Sequence, residues 1–400
     1  MQDITLETAI DILLSNVNEI NDFEEIHLLE AVGRVSAQDV KANFDNPPFD
    51  RSPLDGYAIN SSFTKNATAE NPIIFNIVGE ECAGDFFDKE LKANETLRIM
   101  TGAAMPKGSD CVIRQEDVKV VDNEIFVPYE LKPYENYCFA GEDIKSGNLI
   151  FKNNQILNAA RIAILASQGF SKIKVKRQPR ITIASTGDEL TMPGQELKPG
   201  KIYNSNLYLM AARLIELGFE AKIIGILSDN VDEVASIINE HKNKTDLFIT
   251  TGGVSVGKKD IMHDVVKSVG KRLFWRIMMK PGAPVIGYKV DHMLGIALSG
   301  NPFAAFATFE MLTRPVLAKF SGRDDIMYKR GKGILVDEFP KISKGRRFIR
   351  AHYEAGKVSL PSQHASGSLF SAADCNVLVD IPAGTGKLSV GSEVEIVILN

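Results

Sequence analysis

Four acidic and two basic residues lie at or just beyond short apolar runs of the sequence. They are Asp188, Glu189, Asp229, Asp260, Arg276 and Lys280. If the runs are parallel strands, these residues meet where ligands of open α/β sheets bind, beyond the carboxyl ends of the strands. Taken singly, each acid is more typical of a helix cap or a solvated surface. Carboxylates that converge repel one another unless a divalent cation lies between them, and Mg²⁺ prefers such ligands. The set therefore indicates a metal site beside cations that could hold an anion.

A glycine-rich turn accompanies these charges. The stretch 246–260 reads DLFITTGGVSVGKKD, which combines a strand, a turn and a helix start. Its candidate ligand-binding residues are Gly252, Gly253, Ser255 and Gly257. Glycine lets the backbone approach a ligand closely, and N–H groups at a helix N-terminus bind anions. Residues 252–258 also fit a phosphate loop, but Lys259 stands where Ser or Thr would hold magnesium. An NTP-hydrolysing loop is therefore disfavoured. Two interpretations of the turn remain open, an anion-binding site and a tight turn without a ligand.

A second turn that opens a helix is Ser299-Gly300-Asn301, directly before Pro302. Proline suits the first turn of a helix because its missing N–H would be unpaired there. This turn follows an apolar run, so it belongs to the same sheet edge as the acids. We expect Lys280, Arg276 and the Ser299–Asn301 turn to hold a tetrahedral oxyanion, and Asp188, Glu189 and Asp229 to hold Mg²⁺.

Strands and helices alternate from Arg180 to about Lys319. The expected strands begin at Ile181, Glu220, Leu247, Leu273 and Met293, and the expected helices cover 205–217, 231–242, 260–269 and 302–319. This alternation predicts a mostly parallel sheet with helices on both faces, a three-layer α/β domain.

The rest of the chain predicts further domains. Residues 60–140 are mainly strand-like and indicate an inserted β-rich domain, and the tail from about Ser321 indicates a small β-barrel or sandwich. The expected boundaries are 1–45 with 141–178 for a linking domain, 46–140 for the insert, 179–320 for the α/β domain and 321–400 for the C-terminal domain. In that last domain, Lys344 to Arg347 and Arg350 form a basic cluster, which we interpret as a solvated strand edge.

Composition excludes several classes of protein. The chain has 400 residues, a net charge of -5 and four scattered cysteines without a CxxC pair. An acidic balance disfavours nucleic acid as a partner, and isolated cysteines indicate a reducing compartment. The N-terminus has no basic leader, and no apolar run is long enough to span a bilayer. We therefore expect a cytoplasmic protein that binds neither nucleic acid nor membrane.

Eight motifs of the sequence, in this order, resemble those of the molybdopterin molybdenumtransferase (MoeA) family, which includes the E domain of gephyrin. The motifs are FDRSPLDGYA, RIMTGAAMPKGSDCVIRQE, GEDI, STGDEL, KIYNSN, TTGGVSVGKKD, FWRIMMKPG and LSGNP. They extend over nearly the whole chain, so the resemblance is specific.

The resemblance implies an elongated homodimer of four-domain subunits that inserts molybdenum from molybdate into adenylyl-molybdopterin, with Mg²⁺ and release of AMP. It implies catalytic roles for Asp55, Thr101, Glu189, Asp229, Asp260 and Lys280, and pterin and metal binding near Asp188 and Arg276. The active cleft would be shared between subunits, because Asp55 and Thr101 match positions that the partner's inserted domain contributes. Asp143 matches the acidic, cofactor-binding residue of the GEDI loop, although each of these loops could be a plain capped turn. The adenylyltransferase of the same pathway is a possible protein partner.

The sequence departs from the family pattern near the expected anion site. Ser299 stands where relatives commonly have proline, Ala283 replaces a frequent Lys or Arg, and residues 137–140 lack an arginine-rich run. Fewer cations could mean weaker binding or a preference for tungstate. Three alternatives therefore stay open: a tungstate-preferring paralogue, a molybdopterin adenylyltransferase-like enzyme and a non-catalytic scaffold like gephyrin. The length of the chain argues against the second, and the acidic set against the third.

Overall fold

The structure is a computed structural model that describes residues 1–255, 257 and 260–399. The chain forms two compact units. The first contains Met1–Glu24 and the chain from Lys176 onward, and the second contains Glu25–Val175. No helix within the described part of the chain is both long enough and apolar enough to cross a membrane.

The first unit is built on a seven-stranded sheet. In spatial order its strands are Gln2–Ile4, Lys271–Ile277, Ile286–Val290, Met293–Leu298, Leu247–Thr251, Ile181–Thr186 and Ala221–Leu227. Four of the six strand pairs are parallel, so the prediction of a mostly parallel sheet is confirmed. Three neighbouring strands are buried along their whole length, because helices cover both faces of the sheet there. They are Met293–Leu298, Leu247–Thr251 and Ile181–Thr186.

The strand order creates a crevice between two central strands. From Ile181–Thr186 the chain moves outward to Ala221–Leu227, then returns to the opposite side at Leu247–Thr251. The connections from these two central strands therefore run in opposite directions. Such a switch point leaves a crevice at the carboxyl ends of the strands. Topology thus places Thr186 and the Gly252 turn beside the same crevice.

The helices of the first unit are Leu6–Ser15, Ser205–Glu216, Val231–His241, Met262–Val269, Pro302–Thr308 and Arg314–Ser321. Those from Ser205 onward follow the sequence prediction to within a few residues. Between the last two, Phe309–Thr313 forms a π-helical turn. Pro315 has no backbone N–H to donate to the preceding turn of the helix. The wider π-helical turn accommodates the missing hydrogen bond.

Two further strand pairings belong to the first unit. The strand Gln2–Ile4, which the sequence analysis did not predict, pairs in parallel with Lys271–Ile277. Beyond the crevice, Leu190–Thr191 pairs with Ile202–Tyr203.

The C-terminal part of the first unit is a closed five-stranded barrel, which confirms the prediction of a small β domain. Its strands, in order around the barrel, are Lys329–Leu335, Lys357–Ser359, Arg347–Glu354, Val377–Ile381 and Glu393–Ile398. Its interior contains Leu335, Ile349, Val379 and Ile396.

The second unit is rich in β-structure, as the sequence predicts for the insert. Its six-stranded sheet has the order Cys111–Arg114, Gly56–Ile59, Glu95–Ile99, Ile73–Glu81, Glu124–Val127 and Lys119–Val121. Its only regular α-helix among the described residues is Ala159–Ser167, and Val40–Lys41 pairs with Leu149–Phe151. Phe23–His27 and Lys172–Lys176 form a further two-stranded sheet.

Candidate functional site

The glycine turn packs directly against the end of the neighbouring strand. Gly252 and Gly253 both have positive φ, +98° and +66°. A Cβ at Gly252 would overlap the carbonyl oxygen of Thr186 and lie 3.0 Å from its Oγ1. The Gly252 N–H donates to the carbonyl of Leu298 at 3.0 Å. Only glycine fits this place, because a side chain would meet backbone and the φ is left-handed.

Asp260 closes the turn. Its carboxylate accepts the backbone N–H of Ser255 at 2.9 Å and that of Gly257. Asp260, expected to be catalytic, therefore also fixes the glycine loop. Lys258 and Lys259, the residues that decided the phosphate-loop interpretation, lie outside the described residues.

The crevice opens into a cavity of about 590 Å³. This volume is in the range that suits a cofactor-sized ligand. Of the expected site residues, the cavity is lined by Glu189, Asp229, Gly252, Gly253, Ser255, Asp260, Ser299, Gly300 and Asn301. The structure therefore brings the acids and both helix-opening turns together at one edge of the sheet.

Glu189 and Asp229 line this cavity, and Asp188, which does not line it, is hydrogen-bonded to Asp229. The Asp188 N–H donates to the carboxylate of Asp229 at 3.2 Å, and the Asp229 N–H donates to that of Asp188 at 3.3 Å. The Glu189 carboxylate folds back over Gly187, where a Cβ would lie 2.7 Å from its oxygens. Among the described residues, no three His, Cys, Asp or Glu side chains are grouped as ligands of one metal ion.

These acids suit a magnesium ion that receives only part of its ligands from the protein. Mg²⁺ commonly takes only one or two carboxylates from a protein and completes its octahedron with water and substrate phosphate. Two carboxylates linked through each other's N–H groups supply such a partial set. The donors are therefore suited to Mg²⁺ that arrives with a phosphate, and not to a closed protein cage.

Two asparagines of the site were missed by the sequence analysis. Asn204 caps the helix Ser205–Glu216 through its Oδ1, which accepts the Leu207 N–H at 3.2 Å. Asn206 donates its Nδ2 to the carbonyl of Gly300 at 2.8 Å and so joins the helix to the second turn. Both line the cavity. The signal was present, because Asn204 stands in the N-cap position of a predicted helix within KIYNSN.

Lys280 lines a second, smaller cavity of about 100 Å³ instead of the large one. Its other lining residues include Phe303, Arg347, Arg350, His364 and Ser366. The two cavities are neighbours, since Pro302 and Gly367 line the large one while Phe303 and Ser366 line the small one. The Phe303 N–H donates to the carbonyl of Ser366 at 3.0 Å, which joins the two sides of this common wall.

Arg350 is the central cation of the small cavity. It is 1% exposed, and its guanidinium carbon lies 4.3 Å from the ring centroid of Phe303. Its Nε and Nη1 have no hydrogen-bond partner among the described residues. Burial lowers the pKa of this guanidinium, because a charged group loses its hydration there. A buried cation that has free donors, and no carboxylate partner in the part of the chain that the structure describes, is a strong candidate for anion binding.

The interpretation of the basic cluster as a solvated strand edge is wrong for Arg350. The strand Arg347–Glu354 is buried on both faces over Phe348–Ala351, because it contacts the barrel interior on one side and helix residues such as Phe303 on the other. Arg346 is also paired, with Asp380 at 2.7 Å and with Glu7. A strand buried on both faces cannot be recognised from alternation alone.

Arg276 lines neither of the two cavities. Its Nε lies 3.1 Å from a carboxylate oxygen of Asp3, and its guanidinium faces the ring of Trp275 at 5.7 Å. The structure therefore divides the three expected oxyanion ligands. Lys280 lies in the small cavity, the Ser299–Asn301 turn in the large one, and Arg276 beside the first strand.

Asp55, Thr101 and Asp143 belong to the second unit. The Asp55 carboxylate accepts both the backbone N–H of Thr101, at 2.8 Å, and its hydroxyl, at 2.7 Å. These hydrogen bonds lower the pKa of Asp55, so the group stays a carboxylate. Asp143 accepts from the Asn46 amide at 3.0 Å. Asp55 and Thr101 thus form one preorganised pair on exposed loops.

Known proteins match the chain over almost its entire length. Three family models cover successive segments: the MoeA N-terminal region (domain I and II) at residues 4–169, a probable molybdopterin binding domain at 182–319 and the MoeA C-terminal region (domain IV) at 332–399. A molybdopterin molybdenumtransferase of Staphylococcus epidermidis is 32% identical over 400 residues, covering 99% of this chain and 95% of the relative. The chain belongs to the MoeA family.

Other MoeA relatives agree. A molybdopterin molybdenumtransferase of Staphylococcus aureus is 34% identical over 378 residues, covering 93% of this chain and 90% of the relative. A crystal structure of the molybdopterin biosynthesis MoeA protein from Pyrococcus horikoshii superposes with a TM-score of 0.81 at 32% identity, covering 99% of this chain and 100% of the other. The family resemblance of the motifs and the multidomain α/β plus β fold are thereby confirmed.

Proposed function

We propose that this protein is a molybdopterin molybdenumtransferase, which inserts molybdenum from molybdate into adenylyl-molybdopterin and releases AMP. Membership of the MoeA family over the full chain is the observation that carries this proposal. The two adjoining cavities support it, because one is large and carries carboxylates and glycine turns in its lining, and the other is small and cationic. A nucleotide-bearing pterin and a tetrahedral oxyanion require two such sites side by side.

The large cavity is proposed to bind adenylyl-molybdopterin. The turns at Gly252 and at Ser299–Asn301 line this cavity, and the second of them opens the helix at Pro302, whose N-terminus suits a phosphate of this substrate. Asp260 keeps the first turn in shape through its bonds to Ser255 and Gly257. The protein's contribution to the reaction is to orient the substrate's own dithiolate toward the metal oxyanion.

The small cavity is proposed to bind the oxyanion. Lys280, Arg347 and Arg350 supply positive charge, and their cavity of about 100 Å³ is too small for a ring system. Arg350 contributes donors that have no other partner among the described residues. This assignment retains the expected role of Lys280 and replaces Arg276 with Arg347 and Arg350.

Asp188, Glu189 and Asp229 are proposed to hold Mg²⁺ together with phosphate oxygens and water. When bound, the ion would neutralise charge that develops on the phosphate as AMP leaves. The residues themselves orient the phosphate end of the substrate toward the glycine turn. Glu189 and Asp229 line the large cavity and Asp188 is hydrogen-bonded to Asp229, which supports this role.

Further parts of the proposal follow from the family resemblance. The protein would be a cytoplasmic homodimer of four-domain subunits, in which Asp55, Thr101 and Asp143 complete the partner's large cavity. The hydrogen-bonded Asp55–Thr101 pair supports a preorganised role of that kind. The adenylyltransferase of the same pathway would supply the substrate directly. Light scattering tests the dimer, and a monomeric particle would contradict it.

One assay separates the proposed reaction from its alternatives. Purified protein is incubated with adenylyl-molybdopterin and either molybdate or tungstate, with and without Mg²⁺, and AMP is measured. We expect AMP release that requires both an oxyanion and Mg²⁺. Formation of adenylyl-molybdopterin from molybdopterin and ATP would indicate an adenylyltransferase instead, and a protein inert with both oxyanions would overturn the proposal.

The small cavity also predicts a pH dependence of anion binding. Burial, followed by the charge of Arg350, lowers the pKa of His364, so its imidazole is neutral at pH 7 without a ligand. A bound dianion favours the imidazolium and raises that pKa. Protons are therefore taken up with the anion, and affinity should rise as pH falls through the bound-state pKa, by at most about tenfold per pH unit. The increase in affinity should stop once the pH falls below the pKa of the unbound imidazole, because the imidazole is then protonated both with and without the anion.

Calorimetry with sulfate between pH 5 and 8 measures this dependence, because sulfate stays a dianion throughout. His364→Gln should bind sulfate with a nearly constant affinity. His352→Gln, a change at an exposed histidine of the same barrel, should leave the slope unaltered. An unchanged slope in the His364 variant would show that the imidazole does not face the anion.

A further inference from the structure

Residues 363–369, here called the strap, form parts of both cavities. His364 and Ser366 line the small cavity, and Gly367 and Leu369 line the large one. The Ser366 carbonyl accepts from the Phe303 N–H at 3.0 Å, and the Ser368 N–H donates to the Ala365 carbonyl at 3.1 Å. All strap residues are at least partly exposed, and the half-buried His364 ring packs edge-on against Phe339 with 5.9 Å between the ring centroids. The position of the remaining strap residues therefore depends largely on polar contacts.

Arg350 makes the most important of these contacts. Its Nη2 donates to the carbonyl of Gln363 at 3.0 Å and to that of Ala365 at 2.9 Å. A guanidinium binds an oxyanion with two parallel hydrogen bonds through one of two edges, Nε with Nη2 or Nη1 with Nη2. Both edges include Nη2, and both hydrogens of Nη2 are donated to the strap. An oxyanion that binds Arg350 in this way must therefore displace a strap carbonyl.

The exchange favours the anion. The strap carbonyls supply two hydrogen bonds from a charged donor to neutral acceptors, while Nε and Nη1 are left without partners among the described residues. A dianion would accept from Nη2 and from one of those free groups, with full charge on both sides. A bidentate pair of hydrogen bonds between opposite charges, away from bulk water, is stronger than hydrogen bonds from the same cation to neutral carbonyls. Arg350 is also enclosed by Phe303, which limits competition from water.

We infer that the strap is an anion-operated gate between the two cavities, and that Arg350 is the residue that positions it. Without an oxyanion, Arg350 holds the strap closed and the Phe303–Ser366 contact separates the cavities. When an oxyanion takes the Nη2 edge, the strap is released and the wall formed by Ser366 and Gly367 opens toward the large cavity. The inference rests on the proposed function, because it takes the small cavity as the oxyanion site.

Hydrogen exchange of the full-length protein tests the gate, with tungstate as the probe and sodium chloride at equal ionic strength as the control. Saturating tungstate should speed amide exchange in residues 363–369 by about tenfold, the equivalent of one lost hydrogen bond of ~1.4 kcal/mol. In Arg350→Met, strap exchange should already be fast without tungstate and should not change on its addition. Arg350→Lys, which keeps the charge without the forked edges, should behave in the same way.

Arg347→Met is the matched control. Arg347 lines the same cavity but makes no hydrogen bond to the strap among the described residues, so its loss should weaken tungstate binding and leave the strap slow to exchange. Tungstate that binds by calorimetry without faster strap exchange would overturn the gate alone and leave the oxyanion site standing. Slow strap exchange in both Arg350 variants would overturn it as well. Absence of tungstate binding would overturn the oxyanion site and the gate together.

Discussion

Glu189→Gln is expected to lower kcat for AMP release by about 10²- to 10³-fold while KM for adenylyl-molybdopterin changes little. The variant keeps the size and shape of the side chain, removes its charge and replaces one acceptor oxygen with an NH₂ donor. If Glu189 helps to hold Mg²⁺ against the phosphate, that charge acts mainly when negative charge develops on the leaving group, and the loss corresponds to several kcal/mol. Quenched-flow measurement of AMP under saturating molybdate gives both constants.

Glu196→Gln is the matched control for this prediction. Glu196 is an exposed residue seven positions further along, and it does not line the cavity. It should retain the activity of the unmodified protein. Raising the Mg²⁺ concentration should partly restore Glu189→Gln, because weaker binding of the ion is offset by mass action. Turnover of Glu189→Gln equal to that of the control would show that this carboxylate has no part in the reaction.

Gly252→Ala is expected to lower the free energy of unfolding by about 2 to 4 kcal/mol and to abolish substrate binding. An alanine Cβ would overlap the Thr186 carbonyl oxygen, and its φ of +98° is unfavourable for any residue except glycine. The turn must shift, and the backbone N–H groups that line the cavity shift with it. Urea unfolding followed by Trp275 fluorescence measures the change, since this single tryptophan donates its indole N–H to the Val254 carbonyl at 3.2 Å.

Gly300→Ala provides the comparison at the other turn of the cavity. A Cβ there would approach no atom closer than the Gly252 Cα at 3.6 Å, an ordinary contact, so stability should stay within about 0.5 kcal/mol. The two variants thus separate strain in the turn from a general effect of adding a methyl group to the site. Equal unfolding midpoints for the two would contradict the proposed steric mechanism.

Elements with a strong local signal were predicted well. The strand Met293–Leu298 and the helices Ser205–Glu216 and Val231–His241 agree with prediction to within one residue at each end. Their apolar spacing and capping asparagines depend on neighbours within a few positions. The short strand Gln2–Ile4 was missed because its partner, Lys271–Ile277, lies about 270 positions away. The three residues of this strand do not alternate between buried and exposed positions, so they carry no local sequence pattern that predicts the pairing.

The candidate site shows the same division. The sequence by itself determined that Glu189, Asp229, Asp260 and both glycine turns share one edge of a parallel sheet, because all of them follow strands whose carboxyl ends must meet. It could not determine which cations face which cavity. Lys280, Arg350 and the strap come from segments that are far apart in the chain, and only the packing of the barrel against the helix at Phe303 brings them together. Tertiary structure therefore decided the anion site, because the direction and burial of a side chain depend on what packs over it.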